Sequence, residues 1–281
     1  MGIKRLIYDW IKEIMSLTRI GLVTMFLPRM EMGHLQEWVE YHRMIGVTRF
    51  YLYNNGHFSV DPVFGNGKTD KIWHKKPEAN YHLELSDEIV DQRINQIIDS
   101  LGPGIEHLAW QEDSFKELGF RHAQLKAANC QTEKLKVSNH VDWLGFIDID
   151  ELLVPNGRDL RKALMQIPDD VSALKISQKL FKARWHNQLC VPYSEIDASF
   201  GLLDFNHKLI GRVPRIKKWI NPHRLVVSHG DILQVHPEEL RFHHFRGNQH
   251  KGIPAPKNWG IHKYLQIRNE ILEKDKSHIF K

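Results

Sequence analysis

Cysteine is almost missing from this chain: Cys130 and Cys190 are the only two, far apart and without a C-x-x-C spacing. That excludes a disulfide framework and a thiolate zinc site, and a reducing cytosol is the expected compartment. A long apolar run is missing as well. Lys4, Arg5, Asp9, Lys12 and Glu13 interrupt the first residues, so no membrane span or signal peptide is expected there. No Ser/Gly-rich linker, internal repeat or low-complexity tract divides the sequence, so one domain is expected rather than an array.

What is present is enough for a full core: 281 residues, 42% of them hydrophobic. The formal net charge of +5 is unevenly spread. Lys208, Arg212, Arg215, Lys217, Lys218, Arg224, Arg241, Arg246 and Lys251 crowd one late segment, which would attract phosphate. No nucleic-acid motif accompanies it, so a nucleic-acid partner is not expected. Ile3, Leu6, Ile7, Trp10, Ile11, Ile14 and Met15 recur at helical spacing and predict an amphipathic helix over residues 1–18. It would pack on the domain or, through Lys4, Arg5 and Trp10, touch a membrane surface.

From residue 20 onward, short apolar runs alternate with helical patterns. Ile20–Leu27 reads as a buried strand and the stretch through Trp38, Val39 and His42 as a helix closed by Gly46. Val47–Tyr53 reads as a second strand, completing a βαβ unit. A strand near 70–74, a helix near 87–101, a strand near 105–110, a helix near 116–136 and a strand over 141–149 continue the alternation. This predicts an α/β fold, a Rossmann-type, mostly parallel sheet flanked by helices. Beyond Pro155 the pattern weakens: a helix near 160–165, strands near 171–177, 225–228 and 239–245, and a C-terminal helix from about 261 are expected.

Ligands of such sheets bind beyond the carboxyl ends of the strands. There Trp143-Leu144-Gly145-Phe146-Ile147 runs into Asp148-Ile149-Asp150-Glu151. Side chains alternate along a strand, so Asp148 and Asp150 are expected to share a side with Ile149 turned into the core, and two neighbouring carboxylates repel unless a cation lies between them or one is protonated. A hard divalent ion shared with a diphosphate resolves the repulsion. Asn54 and Asn55 end the second strand as base or ribose readers or as an ordinary Asn-Gly turn. Arg29 and Glu31 follow the first, as a phosphate holder and a helix cap. His229 and His244 each follow an apolar run and are candidate imidazole ligands.

Glu37-Trp38-Val39-Glu40-Tyr41-His42, Ile45-Gly46-Val47, Phe50-Tyr51-Leu52-Tyr53-Asn54-Asn55 and Trp143 through Glu151 together resemble glycosyltransferase family 92 and the related family 2-like glycosyltransferases. Gln124 and Cys130, Lys218-Trp219-Ile220-Asn221-Pro222 before His229, and His244-Phe245 before Lys251-Gly252 follow the same order of motifs. The resemblance covers roughly residues 20–252. It implies a GT-A-like domain over 19–255, with a nucleotide-binding half over 19–155, an acceptor half over 156–255 and the C-terminal helix over 256–281.

It also implies transfer of a sugar from a nucleotide donor, UDP-linked, to a glycan or glycolipid acceptor; with no spanning run and a single domain, a surface polysaccharide or lipopolysaccharide is the expected acceptor. Mn²⁺ or Mg²⁺ would bridge the diphosphate. Asp150 would be the main ligand, Asp148 would face ribose or metal, and His244 or His229 would complete the shell. Gln124, Lys218 and Lys251 would contact the donor. An inverting reaction needs a carboxylate base, for which Glu195 and Asp197 are the candidates, with Glu151 and Asp204 as alternatives. The competing expectations are a metal-dependent phosphohydrolase, which would need a denser ligand set, and a glycan-binding protein with a degenerate site.

Overall fold

The computed structural model describes residues 18–26, 28–55, 86–110, 120–183 and 198–247. The expected N-terminal helix, the strand near 70–74, the C-terminal helix, and Glu195, Asp197 and Lys251 lie outside these residues. Among the described residues, no helix is long and apolar enough to cross a membrane.

β1 (Ile20–Phe26) is buried along its whole length, because both of its faces are covered. Leu22 and Phe26 pack with Met32, Leu35, Trp38 and Val39 of α1 (Pro28–Met44). Val23 and Met25 pack on the opposite side with Ala123, Ala127 and Leu135 of a later helix, α3 (Phe120–Ser138). α1 ends where Gly46 takes φ +105°, a left-handed conformation open to glycine. There the Gly46 and Val47 N–H groups donate to the carbonyls of Arg43 and His42.

β2 (Arg49–Asn54) returns parallel to β1, closing the anticipated βαβ unit. α2 (Asp87–Ser100) begins at Ser86, whose hydroxyl accepts from the Ile89 N–H. β3 (Ile105–Ala109) pairs in parallel with β2, and β4 (Trp143–Phe146) with β1. The order β3-β2-β1-β4 is therefore the parallel, helix-flanked half expected from the alternating pattern.

The second half is built differently. It comprises β5 (Glu151–Pro155), α4 (Leu160–Met165), β6 (Val171–Ala183), β7 (Ala198–Arg212), β8 (Ile216–Asn221), β9 (Arg224–Val227), β10 (Asp231–Gln234) and β11 (Leu240–Gly247). The main sheet continues from β4 through β7, β6 and β11 to β5, with β10 paired to the start of β6. β7 runs antiparallel to both β4 and β6, and β11 antiparallel to β5. The sheet is thus mixed, parallel in its first half and interrupted by antiparallel pairings in its second. β8 and β9 form a separate two-stranded sheet that packs on α3 through Trp219. The Trp219 indole N–H donates to Thr132 Oγ1 at 3.0 Å.

One expectation is corrected. β4 stops at Phe146, and residues 148–151 form a turn in which the Glu151 N–H donates to the Asp148 carbonyl at 3.1 Å. Asp148 and Asp150 are not alternate residues on one strand. The chain leaves the middle of the sheet here and resumes as β5 at its far edge, with Ile147 and Ile149 buried as anchors.

Candidate metal and donor site

The turn is held from behind by α1. Trp38 Nε1 donates to the carbonyls of Asp148 (3.1 Å) and Glu151 (2.9 Å). Tyr41 Oη donates to the Leu153 carbonyl at 2.6 Å, and the Leu153 N–H donates to His42 Nε2 at 3.2 Å. β5 is an edge strand, and these side chains satisfy backbone groups that an edge leaves open. His42 therefore carries its proton on Nδ1, directed at the Trp38 carbonyl. Burial pushes its pKa down to about 3.

In front of the turn the acidic groups share two basic partners, Lys208 and His244. Asp148 Oδ1 accepts from Gln124 Nε2 on α3 at 2.5 Å, and Asp148 Oδ2 lies 2.5 Å from Lys208 Nζ on β7. Lys208 also reaches Glu151 Oε2 at 2.8 Å, and that same oxygen accepts from the Asp148 N–H at 3.0 Å. Asp150 Oδ2 meets His244 Nε2 at 3.0 Å, while His244 Nδ1 faces Gln178 Oε1 at 3.2 Å and Glu151 Oε1 at 3.6 Å. β11 pairs His244 with Glu151 across the ladder, so the register itself brings imidazole to carboxylate.

Lys208 is fully buried and Glu151 nearly so, whereas 40% of the Asp150 side chain remains exposed. Burial raises the Glu151 carboxyl to about 7, against the pull of Lys208. Burial disfavours the Lys208 ammonium, but Asp148 and Glu151 override it and hold its pKa above the ordinary value. Partial burial likewise works against the charges of Asp150 and His244. Their mutual attraction prevails, lowering the carboxyl and raising the imidazole.

The ligand atoms of Asp150, Glu151 and His244 all lie within 4.8 Å of one another. Two carboxylates and an imidazole suit Mn²⁺ or Mg²⁺ with positions left for phosphate oxygens and water. The structure brings Asp148, Asp150, Glu151, Gln124 and His244 together, and separates other candidates from them. His229 follows β9, where its carbonyl accepts from the hydroxyl of Ser172. Ser172 lies near the start of β6, eight residues before Leu180, the partner of His244, or roughly 26 Å of extended chain. His229 is thus removed from the ligand set.

Lys218 stands exposed on β8, opposite Val226, in the two-stranded sheet apart from the main one that carries the acidic cluster. Glu151, the alternative candidate base, is almost fully enclosed, and one of its oxygens is held by Lys208 and a backbone N–H. Arg29 and Glu31 fall in the first turn of α1, at the carboxyl end of β1. Asn54 Nδ2 approaches His107 Nε2 at 3.3 Å. Asn55, at the same sheet edge, is fully buried with both amide atoms unpartnered. Such a group costs about 1–3 kcal/mol unless something completes it.

The sequence profile of glycosyltransferase family 92 matches residues 101–277, a stretch that contains the turn, Lys208 and His244. The chain belongs to glycosyltransferase family 92. A family 92 protein of Ricinus communis is 28% identical over 131 residues, and one of Oryza sativa subsp. japonica 27% identical over 131 residues. In each case the match covers 46% of this chain and 16% of the relative, so the chain spans a small part of the length of these family 92 proteins.

Among solved structures, the galactosyltransferase LgtC in complex with donor and acceptor sugar analogues is similar at 11% identity, covering 89% of this chain and 95% of its own, with a TM-score of 0.36. The apo structure of the bifunctional glycosyltransferase WbbM is similar at 10% identity over 57% of this chain and 23% of its own, with a TM-score of 0.29.

Two contributors to this family 92 site escape a reading of the sequence. Lys208 is hidden in a basic segment whose other members look like solvated charge, and Trp38 looks like one more apolar helix residue. A lysine directly before Leu209-Ile210-Gly211, in a chain whose acids cluster elsewhere, is the available signal for the first.

Proposed function

We propose that this chain carries the donor-binding centre of a metal-dependent glycosyltransferase, which moves a sugar from a nucleotide donor, UDP-linked, to a glycan or glycolipid acceptor. The observation that carries this reading is the convergence of Asp150, Glu151 and His244 within 4.8 Å beside an exposed carboxylate edge. These three side chains would hold Mn²⁺ or Mg²⁺. When bound, the ion supplies charge that stabilises the leaving diphosphate as the bond to the anomeric carbon breaks.

The protein's own groups prepare that event. Trp38, Tyr41 and His42 fix the turn, so the carboxylates need not reorganise when donor arrives. Gln124 orients Asp148 towards the carboxyl edge of the sheet, where Asn54 and Asn55 also end β2. Asn55, with its amide uncompleted, fits a reader of ribose or base. The inverting course and the base, with Glu195 and Asp197 as candidates, belong to the same proposal.

The test combines a panel of UDP- and GDP-sugars with Mn²⁺ and purified protein. Mn²⁺-dependent donor hydrolysis is expected with one donor, and Asp150→Asn should reduce it by about 100-fold or more while the melting temperature is kept. Neither donor binding nor metal-dependent hydrolysis in the parent, with Asp150→Asn behaving identically, would overturn the reading.

A further inference from the structure

The acidic turn already contains a cation supplied by the chain. Lys208 extends from β7 with no exposed surface and ends 2.5 Å from Asp148 and 2.8 Å from Glu151. With Gln124 on its other oxygen, Asp148 has both oxygens engaged by the protein. Glu151 has Oε2 occupied by Lys208 and a backbone N–H, and only Oε1 turns towards His244. Asp150 meets His244 and keeps part of its surface open.

A divalent ion seated against Asp148 would sit beside an immobile, buried ammonium and be repelled by it. An ion seated between Asp150 and His244 would be separated from Lys208 by the Glu151 carboxylate. Together these contacts split the five acidic and basic groups into an inner pair, Asp148–Lys208, and an outer trio, Asp150, Glu151 and His244, of which Asp150 is the most exposed.

We propose that Lys208 is the positioning residue of this site: it keeps Asp148 and the inner oxygen of Glu151 out of the metal's coordination and confines the divalent cation to Asp150, Glu151 Oε1 and His244. This rests on the reading of the site as a metal centre. Asp148 is then a fixed anion at the donor edge rather than a ligand, although it is half of the D-x-D pair.

Mn²⁺ affinity, measured by calorimetry and by loss of the free-ion electron paramagnetic resonance signal, tests it on the intact chain. Asp148→Asn is expected to leave the affinity nearly unchanged, whereas Asp150→Asn weakens it by about 100-fold. Lys208→Met is expected to bind Mn²⁺ roughly tenfold more tightly, because Asp148 is released to join the ion, and to turn over donor more slowly. Lys208→Arg should restore both values towards the parent.

If Lys208→Met fails to fold, the pair Asp148→Asn with Lys208→Met removes both charges together and should match the parent in Mn²⁺ affinity. A merely structural lysine predicts a lowered melting temperature with the affinity of the folded protein unmoved, and that result overturns the proposal. So does Asp148→Asn losing as much affinity as Asp150→Asn. A parent that binds no Mn²⁺ overturns instead the reading of the site as a metal centre.

Discussion

Asn55 is the residue whose environment is least complete. It lies at the carboxyl end of β2 with no exposed surface, and neither its amide nitrogen nor its oxygen has a partner. Groups of this kind persist where a ligand supplies the missing bonds. Asn55→Ala is therefore expected to leave the melting temperature unchanged or slightly raised, and to weaken donor binding by about tenfold, the equivalent of one hydrogen bond. Thermal melts alongside donor titration decide it, and a destabilised variant with normal donor affinity would refute it. The Asn54-Asn55 pair could be picked out in the sequence because it follows an apolar run. Which of the two is buried without partners could not, since that depends on His107 approaching from β3.

The pairing of α1 with β5 shows what the element scale adds. Both elements are locally well specified: Gly46 ends the helix where expected, and Leu152-Leu153-Val154 is an apolar run. That β5 sits at the edge, sealed by Tyr41 and His42, is decided by residues far away in sequence. The same holds for the break between β4 and β5. The strand expected over 141–149 stops at Phe146, because the chain leaves β4 in the middle of the sheet and resumes as β5 at its edge.

His42 gives this clamp a pH dependence. Its folded pKa is about 3 because of burial, against about 6.5 in an unfolded chain. Between those values the unfolded state binds a proton that the folded state does not. Stability from this group is full above about pH 6.5 and falls by roughly 1.4 kcal/mol per unit as pH drops towards 3. In urea denaturation from pH 7 to pH 4, His42→Gln should start about 1–2 kcal/mol less stable and lose stability less steeply with acid than the parent. Parallel slopes would show that His42 does not carry the effect.

At the scale of the molecule, the site depends on strands that meet only in the finished sheet. Asp148 and Asp150 lie between β4 and β5, Glu151 opens β5, Lys208 is on β7 and His244 on β11, and these are joined by the β6–β7 and β11–β5 pairings. The parallel half was legible because β1, β2 and β3 are each followed by a helix before the next strand. The β6–β7 ladder was not: it contains register shifts at Ser177/Gln178 and Lys179/Phe181 that erase a clean alternation. A site tied together in this way is lost when the sheet opens, so a ligand that binds it should stabilise the whole fold. With Mn²⁺ at 100 times its dissociation constant, the proposed centre predicts about 2.7 kcal/mol of added stability, or roughly 5–10 °C in melting temperature for a domain of this size. Asp150→Asn should abolish this gain with only a small change in the metal-free melt, because its side chain is partly exposed and an amide can still hydrogen-bond His244. Ca²⁺ and Mg²⁺ series in the same assay separate a selective centre from general screening of charge. An equal shift with monovalent salt at matched ionic strength would leave the acidic turn without a resident ion.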